Sequence, residues 1–108
     1  MHETARQAAD GFLAQTYGFD AETRFTIIER AAREIGLDCR ELLAAAATGG
    51  SPAKRSAHRL KGHLLALGLT DLAGRAREIE RLADQSAGAA FTDAVRALCR
   101  DLLRHPPE

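Results

Sequence analysis

The chain has little of what several common functions require. It holds no tryptophan, one tyrosine and four phenylalanines, 5% aromatics in all, so little is left for a platform on which nucleic-acid bases could stack. Lysine plus arginine equals aspartate plus glutamate at 15 each, and a net charge of zero provides no field to hold a polyanion. Nucleic acid is therefore not an expected partner. The two cysteines, Cys39 and Cys99, come without a signal peptide or other secretory mark, which suits a reducing, cytoplasmic setting. No CxxC or HExxH spacing is present, so no metal is expected. No apolar run is long enough to span a bilayer. A glycine-rich phosphate loop is missing too, which argues against an ATP-dependent kinase. Apolar and polar residues never alternate over a sustained stretch, so no strand is predicted.

What remains is helical material. The 108 residues are 45% hydrophobic and 28% charged, biased toward alanine, leucine, arginine and glutamate, and they fit one domain over 1–108. Ala5, Ala8, Ala9, Phe12 and Leu13 share a stripe on a short first helix that ends near Gly18. Asp20 is placed to cap a second helix, in which Phe25, Ile28, Ala32 and Ile35 recur at helical steps. Gly36 interrupts that pattern and Asp38 could cap a continuation to Thr48, so 20–48 reads as either one kinked helix or two. Gly49 to Pro52 forms a turn, with Ser51 as the cap of the third helix and Pro52 at its first position. Gly68 should close that helix in a left-handed conformation, folding Leu69 back onto Leu64. Thr70 and Asp71 open a fourth helix that turns Leu72, Ala76, Ile79 and Ala83 inward. After a turn at Ser86-Ala87-Gly88, Phe91, Val95, Leu98 and Leu102 line a last helix ended by His105-Pro106-Pro107. Cys99 is expected in the core. Short turns between four main amphipathic segments predict an all-α, antiparallel up-down four-helix bundle with a short additional N-terminal helix.

The third helix carries the chemistry, over the motif-bearing region 51–85. At about 100° per residue, Ala53, Ala57, Leu60, Leu64 and Leu67 fall on one side and His58 on the other. Around His58, within a turn or two, lie Lys54, Arg55, Lys61, Gly62 and Leu65. A glycine inside a helix costs roughly 1 kcal/mol relative to alanine, so Gly62 calls for a functional reason. A neutral imidazole is a competent nucleophile toward phosphorus, and phosphoryl transfer asks a protein mainly for positioning and for nearby cations. Lys61 can supply the charge, and Gly62 leaves room for a bulky phosphoryl group to approach. Four basic residues and no acid between Lys54 and Lys61 suit a partner with an acidic active site.

His58-Arg59-Leu60-Lys61-Gly62, followed by Leu67-Gly68, Leu72-Ala73 and Ile79-Glu80, resembles the H-x-L-K-G…L-G…L-A…L-E pattern of histidine-containing phosphotransfer (HPt) domains, without a gap from Ala57 to Glu80. The resemblance implies a helical bundle that relays phosphoryl groups between receiver-domain aspartates, with His58 as the phosphorylated residue and with the family's lysine and glycine on Lys61 and Gly62. It implies partners among response-regulator receivers and hybrid histidine kinases, no cofactor of its own, and Mg²⁺ only in the receiver. Lys54, Arg55, Arg59 and Leu65 are the expected receiver-docking residues, and a monomer is expected. Sensor-kinase dimerisation helices also carry a phosphorylated histidine, but an acidic residue usually follows it where Arg59 stands here. The alternative is a helical interaction module that docks receivers without carrying phosphate. His63 departs from the family's small or polar residue, and the stretch from Phe25 to His58 is several residues longer than usual. His63 lies about 140° around the helix from His58, so the two would not share one ion. His2 and His105 carry no signal, and Met1 together with a finished last helix leans toward a separate protein.

Overall fold

The computed structural model describes residues 1–48, 50–85 and 88–103. They form five helices: α1 Glu3–Tyr17, α2 Ala21–Ala46, α3 Gly50–Ala66, α4 Thr70–Asp84 and α5 Ala89–Leu103. No strand occurs among the described residues. The expected turn residues Gly49, Ser86 and Ala87, and the His105-Pro106-Pro107 stop, lie outside them.

The local signals act where the sequence places them. The Asp20 carboxylate accepts the Thr23 amide at 2.8 Å and caps α2, while Gly18, left-handed at φ 68°, ends α1 by donating to Ala14. His2, near the terminus, also has a task. Its Nδ1 accepts the Ala5 amide at 3.2 Å and caps α1, and Arg6 Nε ties down the Met1 carbonyl at 2.9 Å. Helix α3 begins at Gly50, so Ser51 sits in its first turn rather than before it.

Helix α2 runs unbroken for 26 residues, which settles the question raised by Gly36. A side chain at Gly36 would meet nothing within 4 Å, so no close approach forces a break there. Ile35, Cys39 and Leu42 on either side of it are fully buried, and their packing outweighs the roughly 1 kcal/mol that a helical glycine costs. Asp38 accordingly caps nothing and is itself buried.

Helix α3 packs against α2 and α4, α5 closes the ring by touching α4 and α2, and α1 lies on α2. The core is built from leucine, isoleucine and alanine with Val95, Phe91 and the two free thiols. Cys99 donates to the Cys39 carbonyl across α2 and α5 at 3.8 Å. The hydrogen bond with Cys99, and then burial, push the Cys39 thiol well above its ordinary value. Phe91, Val95, Leu98 and Leu102 all point inward as expected. Phe25 does not. It is 67% exposed, because it lies about 60° around α2 from Ile28, outside the Ile28, Ile35, Leu42 stripe. Ala8 on α1 is likewise exposed beside the buried Ala5, Ala9 and Leu13, and on α4 Ala73 is buried while Leu72 packs at the core's margin.

Candidate functional site

The turn after α3 sets the register of everything around it. Gly68, at φ 72°, donates to the Leu65 carbonyl at 3.0 Å, and Leu69 donates to Leu64 at 3.0 Å. These are the paired 5→2 and 6→1 bonds of a Schellman motif, and Leu69 and Leu64 are both buried behind it. Phe12 of α1 seats its ring against Gly68, where a Cβ would lie 2.3 Å from two ring carbons. The helix end is therefore clamped, and His58 stands in the middle of a rod whose opposite side holds the fully buried Ala53, Ala57, Leu60 and Leu64.

The His58 side chain is 71% exposed. Its Nδ1 lies 3.1 Å from Glu80 Oε1 on α4. A carboxylate can only accept, so in the neutral ring this pairing favours the tautomer with its proton on Nδ1 and its lone pair on Nε2. Lys61 Nζ reaches the same carboxylate, at 3.0 Å from Oε1. Glu80 is only 15% exposed, and one well-held carboxylate thus fixes both the tautomer of His58 and the position of Lys61. The sequence pattern included Glu80 but gave it no task. A signal was available: the Lys54–Asp84 and His58–Glu80 pairs both centre on Leu69, so folding α3 and α4 about that turn predicts each partner.

The basic cluster is far less charged in the fold than in the sequence. Lys54 Nζ is 2.9 Å from both carboxylate oxygens of Asp84. Arg59 turns toward α2, with Nε 2.9 Å from Asp38 Oδ1 and a further ion pair to Glu41. With Lys61 held by Glu80, Arg55 is the one cation of the four that makes no ion pair among the described residues. Arg59, expected on the docking rim, is 49% exposed and also pairs across the contact between α2 and α3.

Gly62 and Leu65 lie open. Beyond its chain neighbours and the local helix backbone, a Cβ on Gly62 would meet no atom within 4 Å, so nothing among the described residues fills the space of the missing side chain. Leu65 is 49% exposed, two turns beyond His58 on the same side. His63 faces the other flank: its Nδ1 pairs with Oδ2 of Asp38, whose side chain is 3% exposed. The two histidines are thus held by carboxylates on different neighbours, Glu80 of α4 and Asp38 of α2. No helix among the described residues is long and apolar enough to cross a membrane.

No curated protein and no solved structure matches the chain significantly. The family model of the Hpt domain matches residues 13–105, which include every residue of the α3–α4 site. Hpt domains are phosphocarrier modules rather than kinases, and they work with receiver domains and histidine kinases in phosphorelays. An exposed, carboxylate-held imidazole beside an open glycine, inside a match over most of its length, makes this chain a member of the Hpt domain family.

Proposed function

We propose that this protein carries phosphate in a multistep phosphorelay, taking it from and returning it to receiver aspartates on His58. The observation that carries the reading is the His58 ring, 71% exposed, with Nδ1 on Glu80 and Nε2 open beside Gly62. The 108 residues act as one domain and as a monomer, in the cytoplasm, with α2 to α5 as an antiparallel up-down four-helix bundle and α1 as an N-terminal addition.

In the forward step the Nε2 lone pair attacks the phosphorus of an aspartyl phosphate in line. The N–P bond forms, the acyl O–P bond breaks, and the electron pair leaves with the receiver's carboxylate. The imidazole becomes a cationic phosphoimidazole whose Nδ1 proton stays on its bond to Glu80, so no proton need leave. The return step runs in reverse, with a receiver carboxylate attacking phosphorus and neutral His58 departing. Lys61 faces charge on the passing phosphoryl oxygens, Gly62 keeps the approach clear, and Leu65 offers an apolar contact to the docked receiver. Arg55 is the cation of the Lys54–Lys61 run free to face the partner, while Lys54 and Arg59 contribute through ion pairs that hold α3 to its neighbours. The Mg²⁺ that serves the aspartyl phosphate belongs to the receiver, and this chain needs no cofactor.

The test is incubation with a phosphorylated receiver. Label on the protein should be acid-labile and base-stable, and His58→Gln, a change at an exposed position outside the core, should abolish it without altering the fold. Label that persists in that variant overturns the assignment.

A further inference from the structure

We infer that Gly74 and Arg77 of α4 carry the second half of the receiver-docking surface, Gly74 as a clearance and Arg77 as the cation that meets the acidic rim of the receiver's aspartate pocket. The inference rests on the phosphocarrier reading above and extends its footprint across the α3/α4 groove.

The register about Leu69 that joins Lys54 to Asp84 and His58 to Glu80 sets Lys61 opposite Arg77. Both line one groove, together with Leu65 and Gly74. A groove shaped only by the needs of the fold would face a lysine with an acid, and two cations across it repel. Lys61 escapes by turning to Glu80 at 3.0 Å. Arg77 has no such outlet. The neighbouring acids are taken, Glu78 by Arg81 and Asp84 by Lys54, and Arg77 makes no hydrogen bond or ion pair among the described residues. It stands exposed, one turn before the carboxylate that holds His58.

Gly74 supplies an independent observation. It lies inside α4, is exposed, and a Cβ there would meet nothing within 4 Å. Gly11 and Gly36 also sit inside helices with nothing near a Cβ, but they are half-buried, whereas Gly62 and Gly74 are exposed, and no positive φ accounts for either. Gly62 on α3 stands next to Lys61 in the chain, and Gly74 lines the groove with Lys61 and Leu65. A body lying across both helices uses both clearances. The cation beside Gly74 in the groove, which makes no ion pair among the described residues, selects a partner with an anionic face, as a receiver's aspartate pocket presents.

The experiment measures phosphotransfer from phosphorylated receivers of the same cell, with phosphoramidate as a small donor that needs no docking. For a receiver that exchanges phosphate with the unaltered protein, Arg77→Ala should raise KM about fivefold and weaken its salt dependence. Arg77→Glu should raise KM further, Arg77→Lys should restore most of it, and Gly74→Gln should raise KM at least as much as Arg77→Ala. The rate at saturation and the labelling of His58 by phosphoramidate should not change, nor should Arg96→Ala on α5 have an effect. Unaltered KM in Arg77→Glu and Gly74→Gln overturns the footprint and leaves the phosphocarrier reading standing. Equal loss of phosphoramidate labelling also overturns it, since the residues would then act on His58 rather than on docking. If the unaltered protein takes phosphate from phosphoramidate but from no receiver, the phosphocarrier reading itself fails and the footprint goes with it.

Discussion

Replacing Gly62 with glutamine should make the protein more stable and much slower, a combination that separates a functional glycine from a structural one. The new Cβ enters open space, since beyond its chain neighbours and the backbone of its own helix no described atom lies within 4 Å of its position. The backbone there is ordinary helix, so the change removes a helix-weakening residue without strain and should add about 0.5–1 kcal/mol. For a domain of this size that is a rise in melting temperature of about 2–5 °C. One turn from His58, the two Cβ atoms would be about 5–6 Å apart, close enough for a glutamine amide to cover the approach to Nε2. A displacement of about 1 Å from in-line geometry costs on the order of 10²-fold in rate, so transfer should slow by at least that much. Gly62→Ala should gain similar stability with a smaller loss of rate. Circular dichroism melts and transfer from a phosphorylated receiver read the two effects separately. A more stable variant with unchanged transfer kinetics would refute the reasoning, and a less stable one would show that the space over Gly62 is in use.

The other predictions address the clamp, the carboxylate and the cap. Gly68→Ala must adopt φ 72° and displace the Phe12 ring, so it should lose about 2–4 kcal/mol, and pairing it with Phe12→Leu should recover the part due to the clash but not to the backbone. Glu80→Ala releases both His58 and Lys61 and should slow transfer, though by less than the about 10⁴-fold seen when a serine protease loses the orienting carboxylate of a histidine that must also move a proton. Glu80→Gln, which can still accept from Nδ1, should fall between Glu80→Ala and the unaltered protein, and wild-type rates in Glu80→Ala would remove its role. The Asp20 carboxyl is held below its ordinary 3.8 by hydrogen bonds from the Thr23 side chain and backbone. Its contribution is therefore complete above that value and lost as pH falls through the lower folded one, so Asp20→Asn should flatten the melting curve's pH dependence in that acid range only.

Much of the local structure was legible because it depends on residues a turn apart. The caps at Asp20 and Gly18, the Gly68 turn and the inward stripe of α5 each require only the helical repeat and a residue suited to the end, and each stands where expected. The outward placement of His58 follows from the same repeat. Gly36 and Asp38 misled because a glycine and a potential cap form a local signal for a helix end, while Ile35, Cys39 and Leu42 hold the helix through it by contacts with distant helices. Phe25 misled because α2 buries a narrow stripe, and a residue 60° aside is left in solvent even when its spacing is helical.

By itself the sequence determined the helices, most of their ends and the residue that faces solvent at the centre of α3, since these depend on backbone geometry within one element. Only the tertiary structure decided which charges remain available there. Lys54, Arg59 and Lys61 are paired with Asp84, Asp38 with Glu41, and Glu80, all on neighbouring helices, whereas Arg55 and Arg77 make no ion pair among the described residues. An ion pair between helices depends on register and packing distance, which a periodicity within one helix does not contain.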